Sequence, residues 1–412
     1  VSHPRTLAEV VRQGLCTGCG LCQSMSGPNR ICLEMTADGF LRPRIRGPLP
    51  AGEERRILSA CPGNRQRATA EPGAAVDPLW GPIKRLARGQ ATDEGMRFNA
   101  ASGGVISALA SYLLASGEVE AVLHTRADPT QALRSVPQVS RGLQGVMEAT
   151  GARYGPAAPL TALETMLAAG KPFAVVGKPC DIAALRNLAR LDPRVDRLAR
   201  YRIAFFCAGV SSLGISQAIV GKYGLTEDQV RLMRYRGHGC PGPTRIESKD
   251  GRVFEQSYDE TWGNELAQEI QFRCKICPDA TGEQADIACG DAWITADGYA
   301  HGEYESWNAV IARTAAGEAL LARMERDGKL NLLPNTVAEL NRMQPHQGER
   351  KMAILARLGG LALAGQPRPR YAGLRILHAA WIGRRSFFRN LLGTLRRLRH
   401  GANREAEPAR GA

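Results

Sequence analysis

Cys16, Cys19 and Cys22 fall two residues apart in the stretch LCTGCGLC. At that spacing a loop can wrap a cubane of iron and sulfide, so that three thiolates reach three irons while backbone N–H groups turn toward the sulfides. Gly18 and Gly20 would relieve the crowding. In such sites the fourth thiolate comes from far along the chain and precedes a proline, as in Cys61-Pro62. Cys32 is a rival, but nine residues separate it from Cys22, a long gap for a local ligand, and Cys61 is preferred. Zinc on four thiolates competes with this reading, although structural zinc sites usually pair two C-x2-C knuckles. Disulfides would need an oxidising compartment, to which nothing in the sequence points.

The elements that must position further thiols come next. Val119–His124, Phe173–Val176 and Arg202–Phe206 read as buried strands alternating with helical stretches, which predicts a parallel α/β sheet. Cys180 and Cys207 each lie just past a predicted strand's C-terminal end, the edge where open parallel sheets bind ligands. The C-x2-C-P unit Cys274-Lys275-Ile276-Cys277-Pro278 adds two thiols, so Cys180, Cys207, Cys274 and Cys277 form a candidate second iron–sulfur site. The bland alternative makes Cys180 and Cys207 small buried hydrophobes. Cys240, in the loop HGCPGP, could replace Cys207, whereas Cys289 lies within a short strand and suits a buried structural role. His238, between glycines and near Arg234 and Arg236, is the candidate proton donor, against the common case of a solvated loop histidine.

The segment FNAASGG leads into VISALASYLLASG, with apolar residues at helical spacing and Gly117 as a stop. Ser102 reads as the N-cap, and Gly103 and Gly104 would let a ligand approach the first turn. A helix start of this kind suits phosphate, and equally suits a helix merely eased by glycine.

The chain has 412 residues and 44% apolar content, ordinary for a globular protein of two or three units. The expected divisions are an iron–sulfur module over 1–75, an α/β domain over 85–165, a second domain over 166–345, and a helical basic tail over 350–412. The net charge of +14 is concentrated in that tail, with seven arginines and no acidic residue between Tyr371 and His400. With no RNA-binding motif or aromatic-basic platform elsewhere, nucleic acid is not an expected partner. Leu374, Leu377, Trp381, Phe388, Leu391, Leu395 and Leu398 fall near one helical face, with arginines on the other. Such a helix can lie on an anionic membrane, dock on a partner, or pack on its own core. Residues 401–412 are expected to be disordered. The opening residues show no export signal and no run is long enough to span a bilayer. The expected location is therefore cytoplasmic, with peripheral contact at the inner membrane face through 371–400 left open, as is oligomer formation.

These residues together resemble the coenzyme F420 hydrogenase/dehydrogenase beta subunit family, which includes 7-hydroxymethyl chlorophyll a reductase and related ferredoxin-dependent reductases. The resembling marks are CTGCGLC at 16–22, ASGGVISALASYLL at 101–114, VGKPCDIAALRNL at 176–188 and FFCAG at 205–209. RYRGHGCPGP at 234–243 and CKICPDATGEQADIACGDAW at 274–293 follow in family order. The resemblance implies an FAD-containing iron–sulfur oxidoreductase: a small ferredoxin-like module, a mainly parallel α/β flavin-binding core and the helical tail. It implies a flavin near Ser102, Gly103, Gly104, Lys178, Gly290 and Asp291, with Lys178 facing the diphosphate. It also implies two 4Fe–4S clusters, a ferredoxin-like or deazaflavin donor or a redox partner subunit, and a small-molecule substrate. The competing expectations are a non-catalytic electron-transfer subunit and a zinc-binding interaction protein.

Overall fold

Short apolar runs bounded by glycine and charged residues form eight strands of one sheet. They are β1 (Arg85–Ala91), β2 (Ala121–Ala127), β3 (Ser135–Ser140), β4 (Phe173–Gly177), β5 (Ala199–Phe205), β6 (Ile287–Asp291), β7 (Asn308–Ala312) and β8 (Leu330–Pro334). The computed structural model describes residues 2–293 and 303–405. Across the sheet the order is β8-β1-β7-β6-β5-β4-β2-β3. The four central strands, β6, β5, β4 and β2, are parallel. The outer pairings are antiparallel: β7 with β6, β1 with β7 and β8 with β1 on one side, and β3 with β2 on the other. The expected parallel core is therefore the middle of a mixed sheet.

Strand β4 shows why the centre is parallel and covered on both faces. All five of its residues are buried, as a continuous apolar run requires. Ala174 and Val176 pack with Val105, Leu109 and Leu113 of helix α1 (Val105–Ala115). Phe173 and Val175, pointing the other way, pack with Ile182 and Leu185 of helix α2 (Pro179–Ala189). Period two in the strand and period 3.6 in the helices thus assign one helix to each face.

The N-terminal segment contributes helices Leu7–Arg12, Leu21–Ser26 and Ala51–Ala60 and a hairpin pairing Ile31–Met35 with Leu41–Ile45. It is tied to α2 by Asn187, whose side-chain amide donates to the carbonyls of Ala60 at 3.3 Å and Arg65 at 3.0 Å. A separate antiparallel sheet, Val230–Arg234, Thr244–Ser248 and Val253–Gln256, surrounds a core containing Tyr235, Trp262 and Trp293.

The tail is built into the body. Strand Arg370–Ala372 pairs in parallel with Arg65–Arg67 of the N-terminal segment. Lys351 and Arg375 both pair with the buried Glu283, and Glu405 pairs with the buried Arg42. The end of the segment expected to be disordered, 406–412, lies outside the described residues. Among the described residues no helix is long and apolar enough to cross a membrane.

Candidate redox site

Cys16, Cys19, Cys22 and Cys61 line one small cavity together with Gly18, Gly20 and Pro62. The loop after helix Leu7–Arg12 carries the first three thiols, with Gly18 and Gly20 at positive φ (+68° and +86°) turning the backbone around them. Helix Ala51–Ala60 ends at Cys61 and delivers the fourth. Burial, then the Asp181 charge and the neighbouring Cys61 sulfur, push Cys19 up to about 12, and burial followed by repulsion from the other three sulfurs pushes Cys22 well above the ordinary thiol range. Burial and then Cys16 push Cys61 up to about 12 as well. Backbone N–H groups approach every sulfur: Gly18 donates to Cys16 Sγ at 3.4 Å, Leu21 and Gln23 serve Cys19 and Cys22, and Gly63 and Asn64 serve Cys61. A pocket of thiols that resist ionisation on their own, ringed by N–H donors, suits a cationic inorganic core. Cys32 sits in the hairpin strand Ile31–Met35 and does not line this cavity.

Cys180, Cys207, Cys274 and Cys277 meet at the C-terminal edge of the parallel strands. Cys180 opens α2 just after β4, and Cys207 follows β5. Helix Phe272–Lys275 brings Cys274, with Cys277 just beyond it. Cys180 is pushed well above the ordinary thiol range by burial and Asp181, with Cys207 and Cys277 adding to the shift. Cys207 is pushed up to about 12 by burial, then by Cys274, with Cys277 contributing further. Gln271 Nε2 donates to Cys274 Sγ at 3.2 Å. Arg350 donates to the carbonyls of Cys207 at 3.1 Å and Cys274 at 3.2 Å, holding the two loops together. Cys240 is elsewhere, with Asp291 and Arg236 as its charged neighbours. Cys289 is buried within β6. Among the described residues no three His, Cys, Asp or Glu side chains converge as tightly as one metal ion needs. The first quartet surrounds a small space, and Cys207 and Cys274 of the second border a larger one.

Cys207 and Cys274 belong to the wall of a cavity of about 1050 Å³ that runs along the same sheet edge. Ser102, Gly104, Lys178, Gly290 and Asp291 line it too, while Gly103 does not. The structure revises several roles. Gly104, in the left-handed region at φ +73°, is the N-cap of α1. The Ser102 hydroxyl instead donates to the Trp307 carbonyl at 2.8 Å, because two glycines separate it from the helix start. Gly103 is needed for chain packing: a Cβ there would lie 2.6 Å from the Gly89 carbonyl oxygen. Lys178 Nζ bonds Asp181 Oδ2 at 2.9 Å and the Ala157 carbonyl at 3.0 Å, so two of its three donors are committed within the protein. Asp291 is held by Arg236 through two bonds of 3.0 Å. His238 is exposed, stacks on Phe98 at 4.9 Å, and does not line the cavity. Its backbone is in the left-handed region at φ +59°, and Arg234 Nη1 lies 3.0 Å from its Nδ1.

Sequence reasoning missed the aromatic wall. Tyr154, Tyr258, Trp262 and Trp293 line the cavity, and the Arg236 guanidinium lies 5.0 Å from both the Tyr258 and Trp293 ring centres. The four-residue step from Tyr258 to Trp262 was the available signal. A patch of cations, Lys275, Arg350 and Arg357, lines the cavity as well. Burial, then the Arg397 and Arg350 charges, push Arg357 down to about 10, so the patch lacks a full counter-charge.

His124 also lines the cavity, with Nε2 2.7 Å from Ser140 Oγ, and burial pushes it down to about 4. The unfolded chain protonates near the ordinary value, about 6.5. Between those values the unfolded state binds more protons, so stability falls as pH is lowered. We expect His124 to cost about 2 kcal/mol on going from about pH 7 to about pH 5. Urea midpoints of wild type and His124→Gln at both pH values check this, and equal slopes would remove His124 as the cause.

Two family models match the chain. "Coenzyme F420 hydrogenase/dehydrogenase, beta subunit N-term" covers residues 86–164, and the corresponding C-terminus model covers 170–337. A coenzyme F420-dependent sulfite reductase of Methanocaldococcus jannaschii is 22% identical over 79% of this chain, but the match spans only 48% of that protein. The F420-dependent formate dehydrogenase subunit beta of the same organism is 26% identical over 59% of this chain and 60% of its own length. In fold, the chain is similar to one from the F420-reducing NiFe hydrogenase complex of Methanosarcina barkeri, with a TM-score of 0.55 and 20% identity. That likeness covers 72% of this chain and 98% of the other. With both halves of the family matched in order across the sheet that carries the cavity, this chain belongs to the coenzyme F420 hydrogenase/dehydrogenase beta subunit family.

Proposed function

We propose that this chain is an oxidoreductase holding two iron–sulfur clusters and a flavin, and that it moves electrons between a redox partner and an organic molecule in the cavity. One observation carries the reading: Cys207 and Cys274 of the second quartet form part of the wall of a cavity roomy enough for a dinucleotide, and the Cys16/19/22/61 quartet is gathered separately. The clusters would supply single-electron storage, and the flavin the exchange between one- and two-electron chemistry.

The chain's own residues have separable tasks. Each quartet would hold one cluster: the sulfurs of the first border a space and receive backbone N–H groups, and those of the second converge, with the Gly209 N–H serving Cys207. Tyr258, Trp262 and Trp293 offer flat apolar surface to a planar ring. Lys275, Arg350 and Arg357 are better placed than Lys178 for a diphosphate, because Lys178 is engaged by Asp181. Arg236, buried and steadied by Asp291, places a fixed positive charge at the cavity wall where negative charge on a reduced ring would be stabilised. The names of the relatives favour coenzyme F420, a deazaflavin, as donor or acceptor. The formate dehydrogenase relative is by name a subunit, which makes an electron-transfer subunit the second reading.

Anaerobic preparation with quantified iron, sulfide and flavin tests the proposal. The expected result is about eight iron and eight sulfide per chain, with one flavin. Zinc without iron, in a colourless preparation, would overturn it. Turnover of a deazaflavin with a viologen by the isolated chain would support catalysis, and turnover only after a partner is added would favour the subunit reading.

A further inference from the structure

The segment that follows the family-matched residues, which end at 337, carries an unpartnered surface. Helices Ile376–Ile382 and Phe387–Arg399 are joined by a short turn at Arg384–Ser386. Four large side chains on them stand in solvent: Leu377 at 71%, Trp381 at 69%, Phe388 at 75% and Leu392 at 62% exposure. They form two pairs at four-residue spacing, so each helix presents its own apolar ridge. Arg384, Arg385, Arg389, Arg396 and Arg399 are exposed around them, and no acidic residue occurs between Tyr371 and His400.

These helices are anchored, so the ridges are not waiting for the protein's own core. Ala379, Ala380 and Thr394 are buried. A Cβ at Gly360 would lie 2.9 Å from Thr394, which shows how closely helices Ile354–Leu363 and Phe387–Arg399 approach. Arg357 donates to the Asn390 side-chain oxygen at 3.2 and 3.3 Å, fixing the second helix from beneath. The inward face is used and the aromatic outward face is free.

We propose that residues 376–399 form a docking surface for an anionic lipid bilayer. Exposed tryptophan, phenylalanine and leucine would enter the boundary between headgroups and acyl chains, and the surrounding arginines would meet the headgroup charge. Arginine with no intervening carboxylate complements a continuous negative surface. A protein partner would have to match five separate cations as well as the ridges. Ile382, Arg384, Arg385 and Arg389 also line the large cavity, so the docked face adjoins the cavity rim.

The test uses full-length protein and flotation with vesicles of phosphatidylglycerol or of phosphatidylcholine alone, at about 0.1 M salt. Binding needs no bound cofactor, so this result is independent of the redox reading. Each lost arginine should cost about fivefold in partitioning, so Arg384→Glu with Arg385→Glu should weaken binding to phosphatidylglycerol by about thirtyfold or more. Phe388→Ser with Leu392→Ser, exposed positions whose retained fold circular dichroism would verify, should weaken it by at least about tenfold. Wild type should float with phosphatidylglycerol and not with phosphatidylcholine. Absence of flotation with either lipid would overturn the proposal. So would a wild-type dimer in sedimentation that Phe388→Ser/Leu392→Ser disperses, since that would assign the face to a second copy of this chain.

Discussion

Cys61→Ser should lose about half of the iron bound by the anaerobic protein, whereas Cys32→Ser should lose none. Cys61 lines the same cavity as Cys16, Cys19 and Cys22, and its sulfur is served by the N–H groups of Gly63 and Asn64. Cys32 stands outside, with its sulfur turned toward the Leu33 carbonyl at 3.9 Å. Cys207→Ser against Cys240→Ser is the matching comparison at the second quartet, because the charged neighbours of Cys240 include none of the four thiols. With a ligand missing from one quartet, the other should still fill. Cys61→Ser and Cys207→Ser should therefore each keep about four irons, together with the visible absorption of a single cluster, while Cys32→Ser and Cys240→Ser keep the full complement. Iron counts of Cys61→Ser and Cys32→Ser, each normalised to folded protein, decide the matter. Equal losses would mean that the cluster needs Cys32 as much as Cys61, and full retention in Cys61→Ser would overturn its assignment as the fourth ligand.

The quartets were legible because spacing and proline carry chemistry that does not depend on distant contacts. Three cysteines at two-residue gaps marked one thiol site, and Cys61-Pro62 marked the remote thiol that the fold brings to the same cavity. Strand β4 and helix α2 were legible for a similar reason: FAVV is continuously apolar, and the Pro179 that follows starts a helix. Strand β1 was not, since RLARGQA buries only Ala87, Gly89 and Ala91, residues too small to stand out against their charged neighbours. That strand lies between β7 and β8, so missing it concealed the antiparallel side of the sheet. The cavity wall was illegible for a different reason. Arg236 matters through Asp291, a residue 55 positions away, and no local period encodes that pair. The tail was read as one basic amphipathic helix; it is two helices, Ile376–Ile382 and Phe387–Arg399, broken at Arg384–Ser386, with Leu374 buried outside both. Its attachments combine apolar packing of Ile354, Leu358 and Leu361 on Val10 and Leu15 with polar contacts such as Arg357 to the Lys275 carbonyl at 2.6 Å, and the polar ones leave no trace in the pattern of apolar residues.

Arg273→Met should lower the midpoint potentials of both clusters together. Arg273 is 1% exposed, and its guanidinium donates to the Pro62 carbonyl at 3.0 Å, next to the first quartet. Its Nε and one terminal nitrogen have no hydrogen-bond partner in the protein, and it lies 5.6 Å from the centre of the Tyr371 ring. Its charge acts on Cys16 and Cys61 of the first quartet and on Cys277 of the second. Cys180 and Cys274 act on it in turn. One buried cation is therefore shared by two groups of sulfur that each gain negative charge on reduction. A cation stabilises the added electron, so its loss makes reduction harder and moves the potential down. At roughly 8 Å and an effective dielectric constant near 20, one charge contributes about 2 kcal/mol. For a one-electron couple that is about 90 mV. Arg273→Lys should recover part of the shift, since it keeps the charge and loses the planar fork. Potentiometric titration followed by electron paramagnetic resonance resolves the two signals. If only one signal moves, Arg273 belongs to a single quartet. If neither moves in a folded protein with full iron content, the buried guanidinium has no part in setting the potentials.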